Sequence, residues 1–119
     1  MNCHFVDTGQ TITRGTAFPL TLTLPFDVSD FDVTFTMRAS IADNGNPILQ
    51  CNNEDIIHMN IHGNTVIINL SEADTWKIPE KAPKVFIQLN LTRLIETSAT
   101  KIYALEVLPN IMKQEEQPR

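Results

Sequence analysis

Side chains that could bind a metal ion gather in one short stretch of the sequence. His58 and His62 lie four residues apart, with Cys51 and Asp55 shortly before them. Zinc is held by such side chains, but this spacing matches no recurring ligand pattern. Gly63 also predicts a turn that places His62 at the tip of a hairpin, away from His58. We therefore predict ordinary surface histidines and no metal site.

Catalytic motifs are equally absent from the sequence. Nucleophilic catalysis needs a Ser or Cys beside an oriented base, yet the serines stand beside turn-forming residues and no G-x-S-x-G elbow occurs. Gly9 and Gly15 are not part of a Gly-rich turn that feeds a helix, as phosphate loops require. Cys3 and Cys51 lack the spacing of a redox motif, so free thiols are expected. We predict a protein that is not an enzyme and holds no cofactor.

Composition and charge limit the class of protein further. A chain of 119 residues fits one domain, and 42% apolar with 19% charged residues predicts a folded core. The formal net charge of -5 argues against a basic face for nucleic acid. No apolar run approaches the roughly 20 residues that span a bilayer, so no membrane partner is expected. We predict a single domain over residues 1–112 and a polar tail over residues 113–119.

The hydrophobic pattern repeats every second residue, which is typical of half-buried β-strands. Residues 31–38 carry apolar side chains at every odd position, and residues 16–24 place Phe18, Leu20 and Leu22 on one face. Turn signals at residues 43–46 and 62–64 predict hairpins. Further strands are predicted at residues 56–61, 65–70, 84–94 and 101–108.

One segment departs from the strand pattern. Ser71 is followed three places later by Asp74, the spacing of a helix N-terminal cap, and Pro79 prevents a long helix. The fold class predicted from these elements is all-β: an antiparallel β-sandwich of about seven strands with one short helical turn.

Trp76 and Tyr103 raise the alternative of a carbohydrate-binding sandwich, because aromatic rings stack on sugars. A Trp in a connecting segment can instead plug the end of a sandwich, and Leu70 and Ile78 are at hand as packing partners. Aromatic residues make up only 7% of the chain, which is few for a sugar-binding platform. Glycan binding is therefore the second hypothesis.

Several motifs also occur in a recognisable order along the chain. Ile-Thr-Arg-Gly-Thr-Ala-Phe at residues 12–18 enters a strand, and residues 35–38 end an alternating strand in Arg. Residues 66–75 run from a hydrophobic strand into Leu-Ser-x-x-x-Thr, and Val-Phe-Ile-Gln-Leu at 85–89 follows. This order resembles a β-sandwich module of tailed-phage structural proteins, such as the N-terminal domain of baseplate upper proteins and related head- or tail-fibre proteins.

The last of these motifs departs from the family pattern. It lacks the Gly-x-Tyr-Asp approach and is preceded by Pro79 and Pro83. The resemblance implies a virion component, made in the cytoplasm of a bacterial host, that docks on other virion proteins as a head or tail fibre, baseplate or decoration subunit. It also implies a homo-oligomer, and it carries over no catalytic residue.

Self-association is expected on physical grounds as well, because unprotected strand edges pair with other chains. Residues 16–24 contain no charge, Pro19 suits an edge strand, and residues 84–94 are charged only near their ends. Both segments are therefore predicted as edge strands, one of them covered by a neighbouring subunit. The candidate interface residues are Phe18, Leu20, Leu22, Trp76, Ile111 and Met112.

Overall fold

The computed structural model describes residues 6–40 and 47–110 and has an all-β architecture with one short helix. Its described residues form nine strands in two sheets, which confirms the predicted fold class with more strands than expected. In chain order the elements are β1 (Val6–Thr13), β2 (Phe18–Thr23), β3 (Asp32–Arg38), β4 (Leu49–Asn52), β5 (Met59–His62), β6 (Thr65–Leu70), α1 (Glu72–Trp76), β7 (Lys84–Arg93), β8 (Glu96–Ala99) and β9 (Tyr103–Leu108).

The larger sheet has the order β1-β9-β7-β3-β4, and β8 extends it as a hairpin partner of β7. The smaller sheet has the order β2-β6-β5. β1 runs parallel to β9, whereas the other described pairs are antiparallel. The chain changes sheet after β1, β2, β4 and β6, so neither sheet is a simple meander.

The core lies between the sheets, where the alternating residues of facing strands meet. Val33, Phe35 and Met37 of β3 are buried, as are the alternate residues of β6 and β7. Ile78, just after α1, is fully buried and closes one end of this core. Burying side chains of this size stabilises the fold by about 1.5–3 kcal/mol each.

The strands that the sequence did not predict have weak patterns. Only Ile12 is buried among residues 9–13 of β1, and Gly9 introduces a bulge with a φ of 74°. All four residues of β8 are exposed, so this strand has no apolar face to signal it. The predicted turn at residues 43–46 lies outside the described residues.

The predicted strand at residues 56–61 begins too early in the sequence. The strand itself starts at Met59, because the Asp55 carboxylate accepts a hydrogen bond from the His58 amide and folds residues 55–58 into a turn. Ile56 and Ile57 are therefore 77% and 79% exposed. The hairpin at residues 62–64 is confirmed, with Gly63 at a φ of 62° between His62 and its partner Thr65.

Of the two segments predicted to form edge strands, one lies at an edge and the other is internal to its sheet. β2 pairs only with β6 among the described strands, so the edge prediction for residues 16–24 is confirmed. The prediction for residues 84–94 is wrong, because β7 lies between β3 on one side and β8 and β9 on the other. Its alternating buried residues belong to an internal strand.

A tight contact joins the β1–β2 turn to the helix. Gly15 has a φ of 79°, and a β carbon at this position would lie 2.4 Å from the Trp76 ring. The Arg14 guanidinium lies 5.1 Å from the centre of the same ring and donates to the Ile78 carbonyl oxygen at 2.8 Å. The Thr75 hydroxyl donates to the Thr16 carbonyl oxygen, also at 2.8 Å. We call these contacts of Arg14, Gly15, Thr16, Thr75 and Trp76 the turn–helix clamp.

The clamp brings together the Arg-Gly-Thr and Leu-Ser-x-x-x-Thr motifs. We expect Gly15→Ala to lower the free energy of unfolding by about 2–4 kcal/mol, since left-handed backbone and overpacking are both penalised. Gly63→Ala is the matched control, because Gly63 also has a positive φ but nothing lies within 4 Å of its added β carbon. It should cost only about 1 kcal/mol in urea unfolding. Equal losses in both variants would show that the ring contact is unimportant.

Candidate interaction surface

His58 stands between two carboxylates rather than on an open surface. Its Nδ1 lies 2.9 Å from an oxygen of Asp55, and its Nε2 lies 2.9 Å from an oxygen of Asp74. Asp74 is buried in the first turn of α1, where it also accepts a hydrogen bond from the Ser71 amide. The Ser71 hydroxyl in turn accepts one from the Asp74 amide, which confirms the predicted cap.

These contacts favour a protonated imidazole. The hydrogen bond with Asp55 raises the pKa of His58, burial opposes the rise, and the contact with Asp74 adds to it. The hydrogen bond with His58 lowers the pKa of Asp55. Burial raises the pKa of Asp74, but hydrogen bonds with Ser71 and His58 outweigh it and the net shift is downward. Both ring nitrogens can donate only in the charged form, so the cluster works as an ionic tie between the β4–β5 connection and α1.

Cys51 lies near this cluster but is a poor nucleophile. Its thiol is buried, and burial together with the charges of Asp55 and Asp74 raises its pKa to about 11. The thiolate form is therefore scarce at neutral pH. Among residues 6–40 and 47–110, no group of three or more His, Cys, Asp or Glu side chains could hold a metal ion. Cys3 lies outside the described residues.

The most exposed large apolar side chains lie at the tip of the β7–β8 hairpin. Leu94 is 93% exposed and Ile95 is 97% exposed. Leu94 has a φ of 54°, the only positive value at a residue other than glycine in the described part of the chain. Two-residue hairpin turns favour Gly or Asn in such positions, so the sequence here is not the one that turn formation alone would favour. We call Leu94 and Ile95 the hairpin tip.

Charged and aromatic residues flank the hairpin tip. Arg93 pairs with Glu96 across the turn, with both its Nε and a terminal nitrogen within 3.1 Å of one carboxylate oxygen. The Arg93 guanidinium also lies 4.6 Å from the centre of the Phe31 ring, which stands 5.9 Å from the partly exposed Phe26 ring. An open cleft of about 520 Å³ adjoins the turn, lined by Phe26, Asp27, Phe31, Arg93, Glu96, Thr97 and Ser98.

The interface residues predicted from the sequence are not gathered on one surface. Leu20 is 1% exposed and belongs to the core, so its side chain cannot contact a partner. Phe18 and Leu22 lie on the same inward face and pack against that core. Trp76 is engaged in the turn–helix clamp. Ile111 and Met112 lie outside the described residues.

The aromatic residues of the carbohydrate hypothesis are also engaged within the fold. The Arg14 guanidinium covers the Trp76 ring, and Gly15 packs against it. Tyr103 is half-buried and packs against the core. Neither ring forms an open platform of the kind that stacks on a sugar.

The hairpin tip was not predicted as an interface, because Leu94 was placed as the last residue of the strand predicted at residues 84–94. A usable signal was present. Two large aliphatic residues stand between Arg93 and Glu96, where a tight turn would ordinarily carry Gly, Asn or Asp. Left-handed backbone at Leu94 distinguishes this apolar turn from the other exposed apolar turn at Ile56 and Ile57.

Comparisons with known proteins identify no family for this chain. No family model matches the sequence, and no curated protein matches it. Among solved structures, the chain is similar to the first Ig-like domain from human CD48 antigen, with 12% sequence identity over 92% of this chain and 87% of that one. The TM-score is 0.38, so the description of the fold depends on the strand pairing given above. In the described residues, no helix has the length and apolar character needed to cross a membrane.

The ionic tie predicts a stability that depends on pH. His58 has a raised pKa, so its contribution is fully present below pH 6.5 and is lost as the pH rises through that pKa. Asp55 and Asp74 have lowered pKa values. Their contribution to stability is therefore present above pH 3.8 and is lost as the pH falls through the lowered pKa values. We expect the melting temperature to fall as the pH rises above about 6.5.

His58→Gln should flatten this slope, because it removes the titrating group. His62→Gln is the matched control, since His62 is exposed at the end of β5 and should leave the slope as in the wild type. Melting followed by circular dichroism provides the measurement. A wild-type slope that persists in His58→Gln would show that another group causes it.

Proposed function

We propose that this chain is a non-catalytic docking module of a phage virion, which self-associates and binds neighbouring virion proteins through its hairpin tip. The virion assignment comes from the motif order of the sequence. The turn–helix clamp supports it, because residues of two of those motifs contact one another through Arg14, Gly15, Thr16, Thr75 and Trp76. These two motifs therefore belong to one structural unit of the domain.

The observation that carries the docking function is the exposure of Leu94 and Ile95 in an unfavourable turn. Left-handed backbone at Leu94 destabilises the fold by about 1–2 kcal/mol. The exposed side chains of Leu94 and Ile95 bury no apolar surface in the monomer that would offset this. Moving both into an apolar pocket of a partner would gain about 1.5–3 kcal/mol each. Local sequence that conflicts with local structure is typical of functional sites.

The charges around the hairpin tip favour a protein partner. Arg93 and Glu96 neutralise each other beside the tip, so the tip itself presents no net charge. The whole chain has a formal charge of -5, which disfavours nucleic acid and anionic membrane surfaces. A rim of Arg and carboxylate around aliphatic and aromatic side chains is the composition of protein interfaces.

A double substitution tests the role of the tip without weakening the fold. Leu94→Gly with Ile95→Asn supplies residues that suit the turn, so the monomer should be as stable as the wild type or slightly more stable. The same change removes both aliphatic side chains. In particles assembled from the encoding genome, we expect its copy number to fall at least about tenfold, measured by quantitative mass spectrometry.

Ile56→Asn with Ile57→Asn is the matched control, because it removes two aliphatic side chains of similar exposure from a different surface. It should enter particles at the wild-type level. Wild-type incorporation of the tip variant would contradict docking through the tip. Absence of the wild-type chain from purified particles would contradict the virion assignment altogether.

A further inference from the structure

The main chain of β2 pairs with β6 along one edge. No described strand pairs with its other edge. The Leu24 amide donates to the Asn64 carbonyl oxygen at 2.8 Å, one step beyond the pair Thr23 and Thr65. In an antiparallel pair, hydrogen-bonded residues alternate with residues whose amides point away. The even-numbered residues of β2 therefore bond to β6, and the odd-numbered ones direct their main chain outward.

The outward side of β2 consequently presents the amides of Thr21 and Thr23. Pro19 also lies on this side but has no amide hydrogen, which is why a proline is tolerated there. Pro25 follows just beyond the strand, where the chain bends. Two donors that pair with no described strand thus lie between two prolines, with carbonyl oxygens at Pro19, Thr21 and Thr23 as acceptors.

β2 is the best suited to pairing among the edges of the described strands. β4, β5 and β8 have four residues each, and β1 is interrupted by the bulge at Gly9. β2 has six residues and none is charged. The side chains of Thr21 and Thr23 lie on the solvent-exposed face of the sheet. Edge strands are ordinarily protected by Lys, a bulge or prolines, and here only the prolines at the two ends protect the edge.

We propose that a second copy of the chain pairs antiparallel with β2, which would join two three-stranded sheets into one of six strands. This inference rests on the proposed function, of which self-association is one part, and it locates that part on a surface separate from the hairpin tip. Each copy contributes the amides of Thr21 and Thr23, so the pair forms four hydrogen bonds. The prolines end the ladder on both sides. Each β2 has one edge that no described strand pairs with, so the pairing joins two chains.

A second copy fits this edge better than an unrelated strand does. Antiparallel pairing of β2 with itself places threonines opposite one another, and such cross-strand pairs are favourable. No like charges meet, although the chain as a whole carries -5. The short strand makes a small contact, so we expect a dissociating dimer at tens to hundreds of micromolar.

The experiment measures mass by light scattering over a dilution series. The wild type should rise from 13.4 kDa toward twice that mass as its concentration increases. Thr21→Pro removes an outward donor without touching the ladder to β6, and Thr21→Lys with Thr23→Lys places like charges across the pair. Both variants should fold and dimerise at least about tenfold more weakly. Thr21→Val keeps the amide and should dimerise as the wild type does.

Leu22→Pro is a second control, because the Leu22 amide points toward β6 and its loss should unfold the domain. A wild type that stays at 13.4 kDa up to millimolar concentration would overturn the inference. So would Thr21→Pro and double-Lys variants that are folded yet dimerise normally. The tip variant should dimerise like the wild type, so particle incorporation and dimerisation can fail independently.

Discussion

Trp76 packs so closely on Gly15 that no side chain could stand between them, since a β carbon at position 15 would lie 2.4 Å from the ring. This contact holds the turn that sends the chain from the larger sheet at β1 into the smaller sheet at β2. The Thr75 hydroxyl and the Arg14 guanidinium add hydrogen bonds across the same junction. Because the helix also leads from β6 into β7, one end of the sandwich depends on this junction.

The ionic tie, the hairpin tip and the β2 edge lie on other parts of the same sandwich. With α1 anchored, Asp74 is held where it meets His58, which ties the connection before β5 to the helix. β7 is then internal to the larger sheet, and its hairpin with β8 carries Leu94 and Ile95 beyond the core. β2 remains at an edge of the smaller sheet. The two proposed contact surfaces therefore belong to different sheets, and one can be altered without the other.

Much of the fold could be predicted from residues with strong local signals. The alternation in β3 and β6, the cap at Ser71 and the turn at Gly63 are all encoded by neighbouring residues. Features set by distant residues could not be predicted in this way. Whether β7 is an edge depends on β8 and β9, and the contact of the His58 Nε2 with Asp74 joins residues sixteen positions apart.

The candidate site was harder to predict than the fold for a related reason. A core leaves a periodic pattern, whereas a docking surface is marked only by residues that the fold does not use. Phe18, Leu20 and Leu22 looked suitable for an interface because they are apolar, but they serve the core. Leu94 and Ile95 could be recognised as unused only once the hairpin and their exposure were known.

A photoreactive amino acid in place of Ile95 tests docking through the hairpin tip most directly. Irradiation of intact particles should join this position to one defined region of a neighbouring virion protein, identified by mass spectrometry of the cross-linked peptides. The same group at Ile56, which is also highly exposed, should give few such products. Equal cross-linking from both positions, or products from position 95 that join only residues of its own chain, would contradict the account.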